Sequence, residues 1–139
     1  MPQKQVKKLQ RLLNASIRFV FGIRSRKVST TPFLKKAHIL PINLRIKYKT
    51  CLMVFKCING LAPAYLSELI HKKDSLQSLR IHQDQTLLNV PNLDNQNYKN
   101  RRFEIAAPRQ WNLLPKSLRE SKNIETFKSR LKTFLFDQF

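Results

Sequence analysis

The chain has 139 residues, 42% of them hydrophobic, with 27 Lys+Arg against 8 Asp+Glu and a formal net charge of +19. That length suits one domain with one core, and two glycines leave few tight hairpins of the kinds that need positive φ. A transmembrane bundle is excluded, since no apolar run approaches the ~20 residues of a span, and the charged start MPQKQVKKLQRLLN lacks the apolar stretch of a secretory signal.

Residues 4–21 place Val6, Leu9, Leu13, Ile17 and Val20 at spacings of three and four, which predicts one stripe of an amphipathic helix. Lys4, Lys7, Lys8, Arg11 and Arg18 are left for its other faces, and Gly22 is placed to cap its C-terminus. A basic connector with Arg24, Arg26 and Lys27 follows. Thr31 as N-cap and Pro32 at the first position predict a short helix, PFLKKAHI. Pro41 opens a longer helix over 42–58, stopped by Asn59-Gly60. Its second half is apolar almost all round, so it is expected to be the most buried element. Ala62-Pro63 restarts a short helix to about Ile70.

Residues 71–100 are polar, rich in Asn, Asp and Gln, and lack helical period, so a long irregular segment is expected there. Within it TLLNVP is a candidate short strand. Asn123 caps a last helix over 124–136, with Ile124, Phe127, Leu131 and Leu135 as its apolar stripe. The expected fold is therefore mainly α: a small helical bundle in a single domain, 1–139. Residues 1–70 form its basic helical half, 71–100 its loop-rich segment, and 101–139 a Pro/Trp corner with the terminal helix.

Little in this order of residues points to catalysis. The eight carboxylates are scattered singly, with none of the convergence that two-metal chemistry needs. His38, His71 and His82 lack metal-ligand spacing, and Cys51 and Cys57 form no C-x₂-C pair. Lying about 120° apart around one helix and about 9 Å apart along it, these thiols are expected to stay reduced in the core. Gly22 and Gly60 alone cannot build a glycine-rich phosphate loop. No catalytic residue, metal, cofactor or small-molecule substrate is expected.

The positive signal is charge. The first acidic residue is Glu68, so residues 1–67 carry fourteen Lys+Arg and a net +14. Such a segment repels itself unless a polyanion compensates, and nucleic acid is the commonest one. An anionic membrane surface is the second candidate. Lys35, Lys36, Arg45 and Lys49 extend the cations of 4–27, giving a sequence-tolerant surface for an RNA or DNA backbone. Phe19, Phe21, Tyr48 and Phe55 occupy helical positions expected of core rather than of base stacking. Nuclear or cytoplasmic residence is expected, although the acid-free start also resembles a mitochondrial presequence.

The segment FEIAAPRQWNLLPKSLR, 103–119, reads as a structural corner. Its alanines allow close approach, Pro108 and Pro115 turn the chain, and Trp111 and Leu114 anchor it. It is expected to fasten the last helix to helix 42–58, with Arg109 as a buried donor. Arg101, Arg102 and Arg109 are the alternative, nucleic-acid-facing reading.

The order of these motifs carries a resemblance. It runs through Thr31-Pro32, Leu40-Pro41, Arg45, Lys49, Asn59-Gly60-Leu61-Ala62-Pro63 with Tyr65-Leu66, then Ala106-Ala107-Pro108-Arg109, Trp111-Asn112, Leu114-Pro115, Phe127-Lys128 and Leu131-Lys132. Together they resemble the region after the reverse transcriptase domain in polyproteins of non-LTR retrotransposons, jockey-like and chicken-repeat-like groups. The resemblance implies descent from an RNA-directed DNA polymerase whose catalytic palm and endonuclease are missing here, since no paired aspartate occurs. It also implies the reverse transcriptase domain as natural neighbour. The role left to such a segment is holding RNA or DNA; a genomic remnant or a protein-docking module is the alternative.

Overall fold

The computed structural model describes residues 3–73, 86–91 and 102–139. Among them the fold is mainly helical, with α1 Gln3–Val20, α2 Thr31–Lys36, α3 Ile42–Ile58, α4 Ala64–Ser67, α5 Phe103–Asn112, α6 Lys116–Arg119 and α7 Ile124–Asp137. The chain divides into two compact units. The first holds residues 1–48 and 132–139, the second 49–131.

Helix ends in the first unit follow from backbone chemistry. Beyond α1, Ile23 donates to the Arg18 carbonyl at 2.8 Å and Gly22 to Phe19 at 3.2 Å, the paired bonds of a Schellman motif. Gly22 takes the φ of +64° that this motif requires. Helix α2 ends the same way at His38, whose φ is +52°, with Ile39 donating to Leu34 and His38 to Lys35. This closure limits α2 to six residues, shorter than its apolar pattern predicts. Its N-cap is Thr30 rather than Thr31. Pro32 then falls one residue further in, still among the positions whose N–H has no helical partner.

Ile17, Leu34, Leu40 and Leu135 are the buried hydrophobic side chains described in this unit, and Thr30 is buried with them. Phe21 and Phe33 pack at 5.2 Å between ring centroids. The Gln10 Oε1 accepts the Ile42 N–H at 2.9 Å, tying α1 to the start of α3.

The second unit is built on aromatic contact. Phe55 of α3 and Phe127 of α7 stack at 4.5 Å, 16° from parallel, and Trp111 of α5 meets Phe127 at 5.6 Å. Cys51, Val54, Ile105, Ala107, Leu114 and Leu131 are buried as well, so the second half of α3 is as enclosed as its composition predicts. The segment 103–119 thus fastens α7 to α3, as expected of a corner. Its geometry differs in one respect. Pro108 lies inside α5 and does not turn the chain; it removes one helical donor, and its ring is fully buried. Pro63 and Pro115 do mark turns. Each is an extended N-cap whose carbonyl accepts the first bond of α4 or α6. Helix α4 stops at Ser67, short of the expected Ile70.

Trp111 Nε1 donates to the Thr86 carbonyl at 2.8 Å. Asn112 clasps Leu88 from both sides, accepting its N–H and donating to its C=O, each at 2.9 Å. Leu88 in turn bridges antiparallel to Lys72. Residues 87–89 are therefore held on two sides, by backbone bonds to His71 and Lys73 and by the Asn112 side-chain amide. The rest of the expected irregular segment, 74–85 and 92–100, lies outside the described residues. Asn123 caps α7, its Oδ1 accepting the Thr126 N–H at 2.8 Å.

Two stability measurements follow. Phe127→Ala empties the centre of the aromatic contact and should cost about 3–5 kcal/mol in denaturant unfolding. At Gly60, φ is +68° and an added Cβ meets nothing within 4 Å. Gly60→Ala should therefore lose only the left-handed backbone penalty, about 1–2 kcal/mol.

Candidate nucleic-acid interface

Charge is divided unequally between the units. The first carries thirteen Lys+Arg and one carboxylate, Asp137, a net +12; the second carries fourteen and seven, a net +7. Ion pairs in the second unit join Arg102 to Glu104, Lys116 to Glu120 and Lys128 to Glu125. The first unit has almost no carboxylate with which to do the same.

Of the expected contact residues, Lys4, Lys7, Lys8, Arg11, Arg24, Arg26, Lys27, Lys35, Lys36, Arg45 and Lys49 are exposed, and Arg18 is half-buried. Lys49 belongs to the second unit, the others to the first. Lys35 lies over the Phe139 ring at 5.3 Å. Lys47, half-buried, lies over Phe134 at 5.9 Å and donates to Gln138 Oε1 at 3.3 Å.

Arg11, Arg18 and Arg26 are brought together. With Asn14 and Ala15 they line an open cleft of about 550 Å³. Residues 11, 14, 15 and 18 share one face of α1 through the three- and four-residue helical spacing. Arg26 joins them because the connector folds back on the helix. The bond that holds it is Arg18 Nη2, which donates to the Val28 carbonyl at 3.2 Å and the Arg26 carbonyl at 3.5 Å. Arg18 Nε is buried without a hydrogen-bond partner. Fixed in this way, the Arg18 guanidinium adds its positive charge to the cleft at a set position. Among the described residues no carboxylate lines the cleft.

A larger groove, about 650 Å³, runs between α1, the start of α3 and the C-terminus, lined by Val6, Lys7, Gln10, Leu44 and Phe139 among others. With one cation it suits a polyanion poorly.

Helix α1 departs from its expected orientation. Ile17 is buried and Val6, Gln10 and Leu13 are half-buried, but Leu9 and Val20 of the expected stripe are exposed. The covered face is turned away from them. Leu12 is exposed too, and Phe19, expected in the core, is 89% exposed.

Arg109 is exposed and is not the buried donor of the corner. The half-buried Arg119 is the donor there, its Nε donating to Thr86 Oγ1 at 2.9 Å and its Nη1 to the Leu114 and Asn112 carbonyls. Arg102 is paired with Glu104, and Arg101 lies outside the described residues.

Among the described residues no three His, Cys, Asp or Glu side chains gather as metal ligands. His82 falls outside them. Cys51 and Cys57 are buried free thiols. Burial pushes the Cys57 thiol above its ordinary value, partly opposed by a hydrogen bond from Ser67, so its nucleophilic thiolate is scarce at neutral pH. No described helix is long and apolar enough to cross a membrane. Compared with protein-family models, curated proteins and solved structures, the chain matches none.

Proposed function

We propose that the protein is a non-catalytic, sequence-tolerant RNA- or DNA-binding segment, descended from the region downstream of a non-LTR retrotransposon reverse transcriptase. The observation that carries the binding is the first unit's thirteen cations against one carboxylate, with Arg11, Arg18 and Arg26 set around one cleft. Cations displayed in this way displace counterions condensed on a phosphate backbone, and that release drives association without reading sequence. The ancestry rests on the motif order from Thr31-Pro32 to Leu131-Lys132, and the natural neighbour it suggests is the reverse transcriptase domain.

A salt titration tests the binding. With about six phosphates contacted, log K against log salt should fall with a slope of roughly −4 to −5. Replacing Lys7, Lys8, Arg11, Arg24 and Arg26 together by Gln should flatten that slope while the unfolding midpoint stays within a few degrees. Affinity unchanged between about 50 and 200 mM salt, over which such binding weakens steeply, contradicts the proposal and favours a docking module or a remnant.

A further inference from the structure

We infer that the first unit prefers single-stranded to duplex nucleic acid, with Phe19 as the platform on which an unpaired base stacks. The inference rests on the nucleic-acid reading above and names its substrate class. Its starting observation is independent of charge: Phe19 is a large aromatic side chain left 89% exposed at the end of α1. Its neighbour in sequence, Arg18, is the side chain fixed by the Arg26 and Val28 carbonyls.

At about 100° per residue, Phe19 is displaced from Arg18 and Arg11 by about a quarter turn around α1. The cleft arginines and the exposed ring therefore occupy adjoining sectors of the helix, with Arg18 beside Phe19 at its C-terminal end and Arg11 about 12 Å along the axis. Single-strand binders combine these two elements, cations that track the backbone and a ring against which a base lies flat. In a duplex the base faces are already stacked on one another, so the ring has nothing to receive and only the cations contribute.

Leu9, Leu12 and Val20 widen the exposed apolar sector, and an apolar sector beside cations also suits an anionic lipid surface. The arginine cleft favours the strand. Lipid headgroups need only a diffuse layer of positive charge, whereas Arg11, Arg18 and Arg26 are gathered around one cleft.

The test compares the full chain with Phe19→Ala and Phe19→Tyr on four probes at one salt concentration. These are a thymidine strand, the same sugar–phosphate strand without bases, a duplex of equal length, and phosphatidylserine–phosphatidylcholine vesicles. The unaltered protein should bind the thymidine strand about fivefold or more tightly than the abasic strand, as expected for one stacked base. Phe19→Ala should erase that ratio and leave duplex affinity unchanged. Phe19→Tyr should keep it. Because the side chain is exposed, all three proteins should share one melting temperature. Equal binding of thymidine and abasic strands, or a ratio that survives Phe19→Ala, overturns the stacking role while the backbone reading stands. Phe19-dependent binding to vesicles alone assigns the ring to lipid and also overturns it. Loss of salt-dependent binding to every nucleic-acid probe overturns both readings together.

Discussion

Positive charge without internal compensation is the constraint around which the first unit is organised. Thirteen cations and one carboxylate share it, and like charges in a compact body raise its energy unless water, salt or a polyanion screens them. The side chains accordingly stand outward, ten of the eleven expected contact residues in this unit being exposed. A few cations find other support, as Lys35 does over Phe139 and Lys47 over Phe134. Arg18 is the exception that gives the surface a shape. It spends donors on two connector carbonyls and thereby brings Arg26 to the cleft shared with Arg11.

The second unit meets the opposite demand. Three of its carboxylates, Glu104, Glu120 and Glu125, pair with nearby cations, and aromatic rings meet in its core. Phe55, Trp111 and Phe127 come from three separate helices. The indole N–H of Trp111 and the amide of Asn112 carry the same helix to residues 86–88. Trp111, Asn112 and Arg119 of this corner thus spend their donors on holding the fold. The first unit carries the larger excess of cations, +12 against +7.

Much of the fold was legible because its signals are local. Gly22 and Gly60 stop helices for a backbone reason, Asn123 caps α7 through its side chain, and Phe127, Leu131 and Leu135 repeat at one helical spacing. The orientation of α1 was not legible. Leu9, Leu12, Leu13, Ile17, Phe19 and Val20 spread apolar character over an arc wider than one buried face. Periodicity defines that arc without saying which part neighbouring elements cover, so Phe19 and Val20 fell outside although they read as core. Arg109 read as the buried donor, whereas Arg119 of the same motif, beyond the turn at Pro115, is the one that bonds Thr86, Asn112 and Leu114. Pro108 shows a local rule overridden by packing, since burial of its ring accompanies the loss of one helical hydrogen bond. The cleft of Arg11, Arg18 and Arg26 needed the fold-back of residues 23–30, which no spacing rule contains.

The most direct test of the central claim is a residue-by-residue map of amide chemical shifts as a nucleic-acid strand is titrated into the whole protein. The account predicts that shifts concentrate in α1 and in residues 23–30, with the largest near Arg11, Arg18 and Arg26, while α5 and α6 stay still. Shifts centred on 102–119, or none at all in dilute buffer, would contradict it.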